Sequence, residues 1–357
     1  MALTCGIIGL PLVGKTTLFN LLTKGEEETT NYAGRTKTNV RIAMIPDHRL
    51  DMLAEIYHPR KIVPAVLEVT DVPGLNRGTG AAFLDAVREV DALIHVVRAF
   101  KSEQVSHIEG SLNPVRDLEN INAELFMADL QMVETRLERI AANKKSKGET
   151  LIEQAALRRC QEVLNEEKPL LEAGLTDEEW QAVKSLGFLT TKPMIFVVNI
   201  DEDQLREGSF EGEDSITDYA QEKGIPVLAI CLELEAEIAR LEPEERELFL
   251  EEMGIAEPGI ERVARAIYKH LGLISFLTVG EDEVRAWTIE KGTKARAAAG
   301  KVHTDIERGF IRAEVVKYDD MENLRDMVKI KEKGLARLEG KEYIVQDGDI
   351  IDFRFNI

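Results

Sequence analysis

Short apolar runs alternate with helix-like patterns through the first two-thirds of the 357-residue chain. The runs are rich in β-branched residues and few polar residues interrupt them, which indicates strands that are covered on both faces. Helical stretches between such runs are typical of a parallel sheet with crossover helices. The sequence therefore predicts an α/β domain with strands at residues 5–8, 63–70, 92–97, 194–199 and 226–230.

Residues 117–173 break this alternation, because no strand pattern occurs there and the charge density rises. Apolar residues follow a helical spacing that shifts by one position after Leu125, and a second stripe runs from Ile152 to Leu164 on the other side of a polar turn. Two helices with a narrow apolar seam predict an inserted antiparallel hairpin of coiled-coil type. The alternative is two ordinary helices packed on the α/β domain.

The pattern changes again after Gly272, where short strand-like runs are separated by glycine-rich turns. These runs cover residues 275–279, 284–289, 343–345 and 350–355, and they predict a small β-rich domain of α+β type. The expected domains are 1–116 with 174–272, the hairpin 117–173, and a C-terminal domain 273–357.

Composition restricts the function classes. The net charge is −20, which argues against broad binding to DNA or other nucleic acid. Residues 285–341 carry 14 Lys and Arg against 10 Asp and Glu, so that this part alone is slightly basic, which suits either a local RNA contact or an ordinary solvated surface. Three distant cysteines, the absence of a signal-peptide pattern and the lack of a bilayer-length apolar run predict a cytoplasmic protein without membrane attachment.

The strongest chemical signal is a complete G-x-x-x-x-G-K-[ST] phosphate-binding loop between a predicted strand and a predicted helix. Its backbone N–H groups and the helix N-terminus would surround phosphate oxygens. Lys15 would reach the β- and γ-phosphates, and the Thr16 hydroxyl would bind Mg²⁺. The predicted nucleotide-binding residues here are Gly9, Leu10, Pro11, Leu12, Val13, Gly14, Lys15, Thr16 and Thr17.

A second signal, Asp71-Val72-Pro73-Gly74-Leu75, directly follows a predicted strand. Asp71 is expected to hold Mg²⁺, and the Gly74 N–H to contact the γ-phosphate. Many GTPases carry Gln after this glycine to orient the attacking water, whereas this chain has Leu75. Another group must then position the water.

A third signal, Asn199-Ile200-Asp201-Glu202, ends the predicted strand 194–199. Guanine-specific domains carry Asn-Lys-x-Asp at this place. Because Glu202 is longer than Asp and Ile200 replaces Lys, guanine selectivity should be lost and adenine accepted. Leu232 is a further candidate for the wall of the base site.

Taken together, these residues resemble the Obg-like ATPases of the YchF family, a branch of the translation-factor-related P-loop GTPases. The similarity extends over the whole chain, with motifs at residues 9–17, 46–50 (PDHRL), 71–75 (DVPGL), 95–98 (HVVR), 199–202 (NIDE), 283–288 (EVRAWT) and 299–313 (AGKVHTDIERGFIRA). The resemblance implies an OBG-type G domain, an inserted coiled coil and a C-terminal TGS domain. It also implies slow hydrolysis, a preference for ATP over GTP, and association with the ribosome through its RNA or protein.

The resemblance assigns further roles. His107 matches the histidine proposed to replace the missing glutamine. Thr36, with Thr38 as the alternative, is expected to close on Mg²⁺. Leu12 replaces the usual asparagine and so removes a ligand for an activating potassium ion.

The sequence thus predicts a slow Mg²⁺-dependent nucleoside triphosphatase that acts as a switch, with ATP or GTP as substrate and catalytic roles for Lys15, Gly74 and His107. Two alternatives stay open, a nucleotide-gated binding module with vestigial hydrolysis and a switch that prefers GTP.

Overall fold

The computed structural model describes residues 3–23, 40–75, 80–102, 104–142 and 148–356. The chain packs into two compact units. The first contains residues 3–41 and 68–259, and the second contains residues 42–67 and 260–357. The second unit is therefore built from two separate stretches of the sequence.

The chain up to residue 270 forms seven strands and eleven helices within the described ranges. In chain order these are β1 (Thr4–Ile8), α1 (Lys15–Leu22), β2 (Val40–Ile45), α2 (His48–Tyr57), β3 (Lys61–Val63), β4 (Ala65–Asp71), α3 (Gly80–Arg88), β5 (Ala92–Arg98), α4 (Pro114–Ala142), α5 (Gly148–Asn165), α6 (Asp177–Val183), β6 (Met194–Asn199), α7 (Glu202–Glu207), α8 (Glu213–Glu222), β7 (Val227–Ile230), α9 (Leu232–Ile238), α10 (Pro243–Glu252) and α11 (Gly259–His270). Two short 3₁₀ helices, Leu170–Ala173 and Lys184–Leu186, lie on either side of α6.

The first sheet has the strand order β2-β4-β1-β5-β6-β7. The pairs β1–β4, β1–β5, β5–β6 and β6–β7 are parallel, and all residues of β5 and β6 are buried. The register pairs Ile7 with Asp71 and Arg98 with Asn199. The predicted α/β class is confirmed, and the carboxyl ends of five strands meet at one edge, where ligands bind in open α/β sheets.

The predicted strand 63–70 is two strands. β3 and β4 are separated by Pro64 and belong to different sheets. Proline has no N–H group to donate to a ladder and restricts the residue before it, so the strand is interrupted there. Strand β2 was not predicted.

The long helix α4 changes its packing partner along its length. In its first half, Leu118, Ile121 and Leu125 are buried, and Asn122 Nδ2 donates to Tyr219 Oη of α8 over 2.8 Å. In its second half, an apolar cluster forms with α5, in which Val133 and Cys160 are fully buried. Arg136 Nε, near the end of α4, lies 2.6 Å from Glu153 Oε1 near the start of α5, as an antiparallel hairpin requires. The one-residue shift of the apolar stripe after Leu125 therefore marks the point where α4 leaves the sheet.

The C-terminal part of the second unit is a β-rich α+β structure, as predicted. Its elements are β8 (Leu273–Thr278), β9 (Glu283–Glu290), α12 (Ala295–Val302), α13 (Thr304–Arg308), β10 (Phe310–Val316), α14 (Tyr318–Leu324), α15 (Met327–Glu332), β11 (Arg337–Glu339) and β12 (Ile350–Phe355). Its sheet has the order β11-β10-β12-β8-β9-β3. The core includes Phe276, with Phe353 edge-on at 5.7 Å between ring centroids.

Two expectations for this unit need correction. Residues 343–345 form no strand, but a single bridge joins Lys294 to Ile344. Strand β3, which comes from the N-terminal third of the chain, pairs in parallel with β9 and completes the sheet. The pattern after Gly272 also gave no indication of β10 and β11.

The predicted domain limits stay a proposal. In the part of the chain that the structure describes, no helix is long and apolar enough to cross a membrane.

Candidate nucleotide-binding site

A cavity of about 630 Å³ opens at the carboxyl edge of the first sheet. Its volume lies within the range of ordinary small-molecule sites, roughly 300–1,000 Å³. The lining residues come from the loop before α1, the loops after β5 and β6, and the start of α9. They are Leu12, Gly14, Lys15, Thr16, Thr17, Phe100, Lys101, Ser102, Gln104, Val105, Asn199, Ile200, Asp201, Leu232 and Glu233.

The phosphate-binding loop needs glycine at two places because its backbone passes very close to other groups. Gly9 has φ +145°, and a Cβ there would lie 2.4 Å from the Val96 carbonyl oxygen. Gly14 has φ +107°, and a Cβ there would lie 2.6 Å from Asn199 Nδ2. Side chains would be strained and would clash at both positions. The predicted loop is thus folded as a phosphate cradle at the N-terminus of α1.

Lys15 is held inside this loop. Its Nζ donates to the carbonyl oxygens of Leu10 (2.7 Å) and Gly9 (3.1 Å), and the residue is 9% exposed. Burial lowers the pKa of Lys15 to about 8, although the charge of Asp71 opposes that shift. A pKa near 8 leaves most of Lys15 charged at pH 7, and phosphate oxygens would favour that charged form.

Thr16 and Asp71 lie together next to Lys15. Thr16 Oγ1 donates to Asp71 Oδ2 over 3.0 Å. Burial raises the pKa of Asp71, while the Thr16 hydrogen bond and the Lys15 charge lower it. Hydroxyl and carboxylate oxygens are the ligands that magnesium takes in phosphate sites, and a cation here would offset the burial of the carboxylate. This pair fits Mg²⁺.

Gly74 lies next to Lys15 and to Pro11 of the phosphate-binding loop. A Cβ on Gly74 would lie 3.0 Å from Lys15 Nζ and 3.5 Å from Pro11 Cγ. The structure therefore brings four predicted residues, Lys15, Thr16, Asp71 and Gly74, to one point. Thr36 and Thr38, the two candidates for the closing threonine, lie outside the described residues.

Asn199 connects the loops around the cavity. Its Nδ2 donates to the Val13 carbonyl oxygen (3.0 Å), and its Oδ1 accepts from the Leu232 N–H (3.2 Å). Its side chain fixes the phosphate loop against α9. Leu232 lines the cavity, and its contact with a base stays a prediction.

Asp201 and Glu202 take different positions. Asp201 lines the cavity, caps α7 by accepting from the Gln204 N–H, and accepts from the Lys101 N–H over 3.1 Å. The Glu202 carboxylate accepts from Arg206 over 3.2 Å and is not among the lining groups. Base recognition by Glu202 stays a prediction that requires this side chain to turn from Arg206.

Sequence reasoning missed the loop after β5. Phe100, Lys101, Ser102, Gln104 and Val105, called the cavity loop below, line the cavity. No motif marks them. Their position after a central strand that is parallel to β1 and β6 was the available signal, because the loops that follow such strands meet at the same edge.

Comparison with known proteins identifies the family. A family described as 50S ribosome-binding GTPase matches residues 4–135, and the YchF-GTPase C-terminal family, described as a protein of unknown function, matches residues 273–356. The protein named Ribosome-binding ATPase YchF in Bacillus subtilis is 45% identical, and its namesake in Haemophilus influenzae is 43% identical. Both alignments cover 100% of each chain. The chain belongs to the YchF family.

The solved structure of the Schizosaccharomyces pombe YchF GTPase agrees with this. It superimposes with a TM-score of 0.87 at 32% identity and covers 99% of this chain and 97% of its own. YchF family membership and the Lys15, Thr16 and Asp71 arrangement together identify the chain as a P-loop nucleoside triphosphate hydrolase.

His107, the predicted water-orienting residue of this YchF protein, is engaged outside the cavity. Its Nε2 lies 2.7 Å from Asp117 Oδ2, and its Nδ1 accepts from the Glu109 N–H over 3.2 Å. Since Nδ1 is an acceptor, Nε2 is the donor in the contact with Asp117. The catalytic role of His107 stays a prediction, and it requires the ring to leave Asp117.

The position of Lys15 predicts a proton uptake on binding. Just above pH 8 much of Lys15 is neutral in the free protein, whereas phosphate oxygens favour the ammonium form. We expect a nonhydrolysable ATP analogue to take up a proton there, and its affinity to fall as the pH rises through about 8. Calorimetry in buffers of different ionisation enthalpy measures the uptake. At pH 7 the uptake should be nearly absent in the same protein, and buffer-independent heats at both pH values would refute the assignment.

Leu12 generates a prediction on stability. It is a non-glycine residue with φ +63°, and its side chain is 63% exposed. Leucine in this left-handed region costs about 1 kcal/mol, which asparagine largely avoids. Leu12→Asn should therefore raise the free energy of unfolding by about 1 kcal/mol in denaturant titration. Leu12→Ala is the control, since it removes the side chain but keeps the strain. An equal gain in both variants would contradict this explanation.

Proposed function

We propose that the protein is a slow, magnesium-dependent nucleoside triphosphatase that prefers ATP to GTP and works as a ribosome-associated switch in the cytoplasm. The observation that carries this proposal is the joint placement of Lys15, Thr16, Asp71 and Gly74 beside a nucleotide-sized cavity. The names of the relatives, Ribosome-binding ATPase, support the substrate and the partner.

The chain's own groups would act as follows. Lys15 and the amides of residues 9–16 stabilise negative charge on the β- and γ-phosphates. Thr16 and Asp71 hold Mg²⁺, which when bound neutralises charge between these phosphates. Gly74 contacts the γ-phosphate, so that hydrolysis releases the segment that follows Asp71. No potassium requirement is proposed, because the side chain of Leu12 offers no oxygen ligand.

Slow hydrolysis follows from the residues that would orient water. Leu75 has no polar group, and His107 is bound to Asp117 in this conformation. The ATP preference rests on Glu202 and Ile200, which replace the residues typical of guanine sites. The helical hairpin and the C-terminal unit each have an apolar core of their own. We propose that the C-terminal unit is a TGS domain and that the polar surfaces of both parts contact a ribosomal partner.

A second candidate function is a nucleotide-gated binding module whose hydrolysis is vestigial. The His107–Asp117 contact of 2.7 Å between two nearly buried side chains favours it, because breaking that contact has a cost.

Steady-state phosphate release separates these candidates. We expect ATP to have a higher kcat/KM than GTP, and His107→Ala to lower kcat on the order of 10²-fold, the usual contribution of a positioned proton-transfer group. His303→Ala, at an exposed histidine of the C-terminal unit, is the matched control. A GTP preference would overturn the interpretation of Glu202. Background turnover that His107→Ala leaves unchanged would favour the binding module.

The partner requires its own experiment. Co-sedimentation with purified ribosomal subunits should differ severalfold between a nonhydrolysable ATP analogue, ADP and nucleotide-free buffer, because the γ-phosphate orders the Gly74 segment. Lys15→Met, which removes the phosphate contact, should abolish this difference. Sedimentation without the ribosome in every state would refute the ribosomal role.

A further inference from the structure

A buried arginine, Arg98, contacts the cavity loop but does not line the cavity. Arg98 is the last residue of β5, and 4% of it is exposed. Burial lowers the pKa of its guanidinium, and the charge of Asp117 opposes that shift. Arginine keeps its charge even when buried, so the protein must supply acceptors for it.

The acceptors of Arg98 are the two ends of the cavity loop. Nε donates to the Phe100 carbonyl oxygen (3.2 Å), and Nη2 donates to the Val105 carbonyl oxygen (2.9 Å). The guanidinium carbon also lies 4.2 Å from the centroid of the Phe100 ring. One rigid planar group thus bridges the start and the end of the loop, which the single ammonium of a lysine cannot do in the same geometry.

The other bonds to this loop secure only its beginning. The N–H groups of Ala99 and Phe100 donate to the Asn199 carbonyl oxygen, over 2.8 and 2.9 Å. The Lys101 N–H donates to Asp201. The N–H of Val105 bonds within the loop, to Ser102. Beyond Val105 the chain is next held at His107, which contacts Asp117 of α4, so among the described contacts the Arg98 bond is the one that ties the far end of the loop itself to the sheet.

One donor of the buried Arg98 guanidinium is not used. Its Nη1 is buried and has no hydrogen-bond partner among the described residues. An unpaired buried donor on a charged group is costly, so a buried arginine at this position calls for an explanation. The two donors that have partners, Nε and Nη2, both bond to residues that line the cavity.

We propose that Arg98 is a positioning residue for nucleotide binding, which holds the cavity loop against the nucleoside part of the ligand without itself lining the cavity. This inference rests on the proposed function. The phosphate end is held independently by residues 9–17, so Arg98 should affect the affinity for the nucleoside and not the affinity for phosphates.

The test is Arg98→Lys, which keeps the positive charge but loses the two separate guanidinium donors, Nε and Nη2. By calorimetry, we expect the Kd of a nonhydrolysable ATP analogue to rise about tenfold, as for the loss of one charged hydrogen bond. The Kd of inorganic tripolyphosphate should stay within about twofold, and kcat at saturating ATP should also stay within about twofold. The control is Arg159→Lys. Arg159 is a partly exposed arginine of α5 that pairs with Glu179 of α6, and its replacement should change none of these values.

Two outcomes would overturn the inference: an unchanged Kd for the ATP analogue, and equal weakening of both ligands. Arg98→Gln provides a second variant if Arg98→Lys does not fold, as judged by its thermal unfolding. Its single amide nitrogen cannot replace the two separate donors Nε and Nη2, so it should weaken the analogue but not tripolyphosphate. Wild-type protein that binds neither an ATP nor a GTP analogue would refute the proposed function itself, which is a distinguishable failure.

Discussion

Four hydrogen bonds of Asn199 join the loops around the cavity. Its side chain joins the phosphate loop at Val13 to α9 at Leu232, and its carbonyl oxygen accepts the N–H groups that begin the cavity loop. Because Asn199 ends a central strand whose residues are all buried, these loops are anchored to the interior of the sheet. Replacing an amide that both donates and accepts would leave buried groups on two loops without partners.

The ionisable groups around this edge share a second property. Burial moves Lys15 and Asp71 towards their neutral forms, while each opposes the shift of the other. The charges of these two groups are therefore only partly compensated by other residues of the site. A ligand with phosphates, together with the divalent cation proposed above, would supply the missing charges, so that binding energy would be concentrated where the proposed chemistry occurs.

The sequence was sufficient for the local features of this site. The phosphate loop, Asp71, Gly74 and Asn199 have short motifs, because backbone approach and strand ends restrict which residues fit. The cavity loop could not be read in this way, since its contribution depends on the strand order β1-β5-β6. Similarly, one apolar run concealed two strands, because Pro64 sends its two halves to different sheets.

Side-chain orientation was also beyond the sequence. The pattern placed Glu202 and His107 in site loops. The Glu202–Arg206 pair has the i,i+4 spacing of a helix, but it could be recognised only once Glu202 was known to begin α7. The His107–Asp117 contact depends on how a loop packs against α4, which spacing does not define. The change of partner along α4 was visible as a shifted apolar stripe, but its meaning required the packing of Asn122 against α8.

The second unit cannot be separated from the rest by a single cut. Residues 42–67 provide β3, which covers one side of β9, and α2, whose Arg49 bonds to both Asp47 and Asp347. A recombinant fragment that begins at residue 260 would lack both elements. The backbone groups of β9 would then form an exposed sheet edge, which promotes pairing between copies and aggregation. Dissection of this chain into modules must therefore keep these residues, for example by joining them to the C-terminal part through a designed linker.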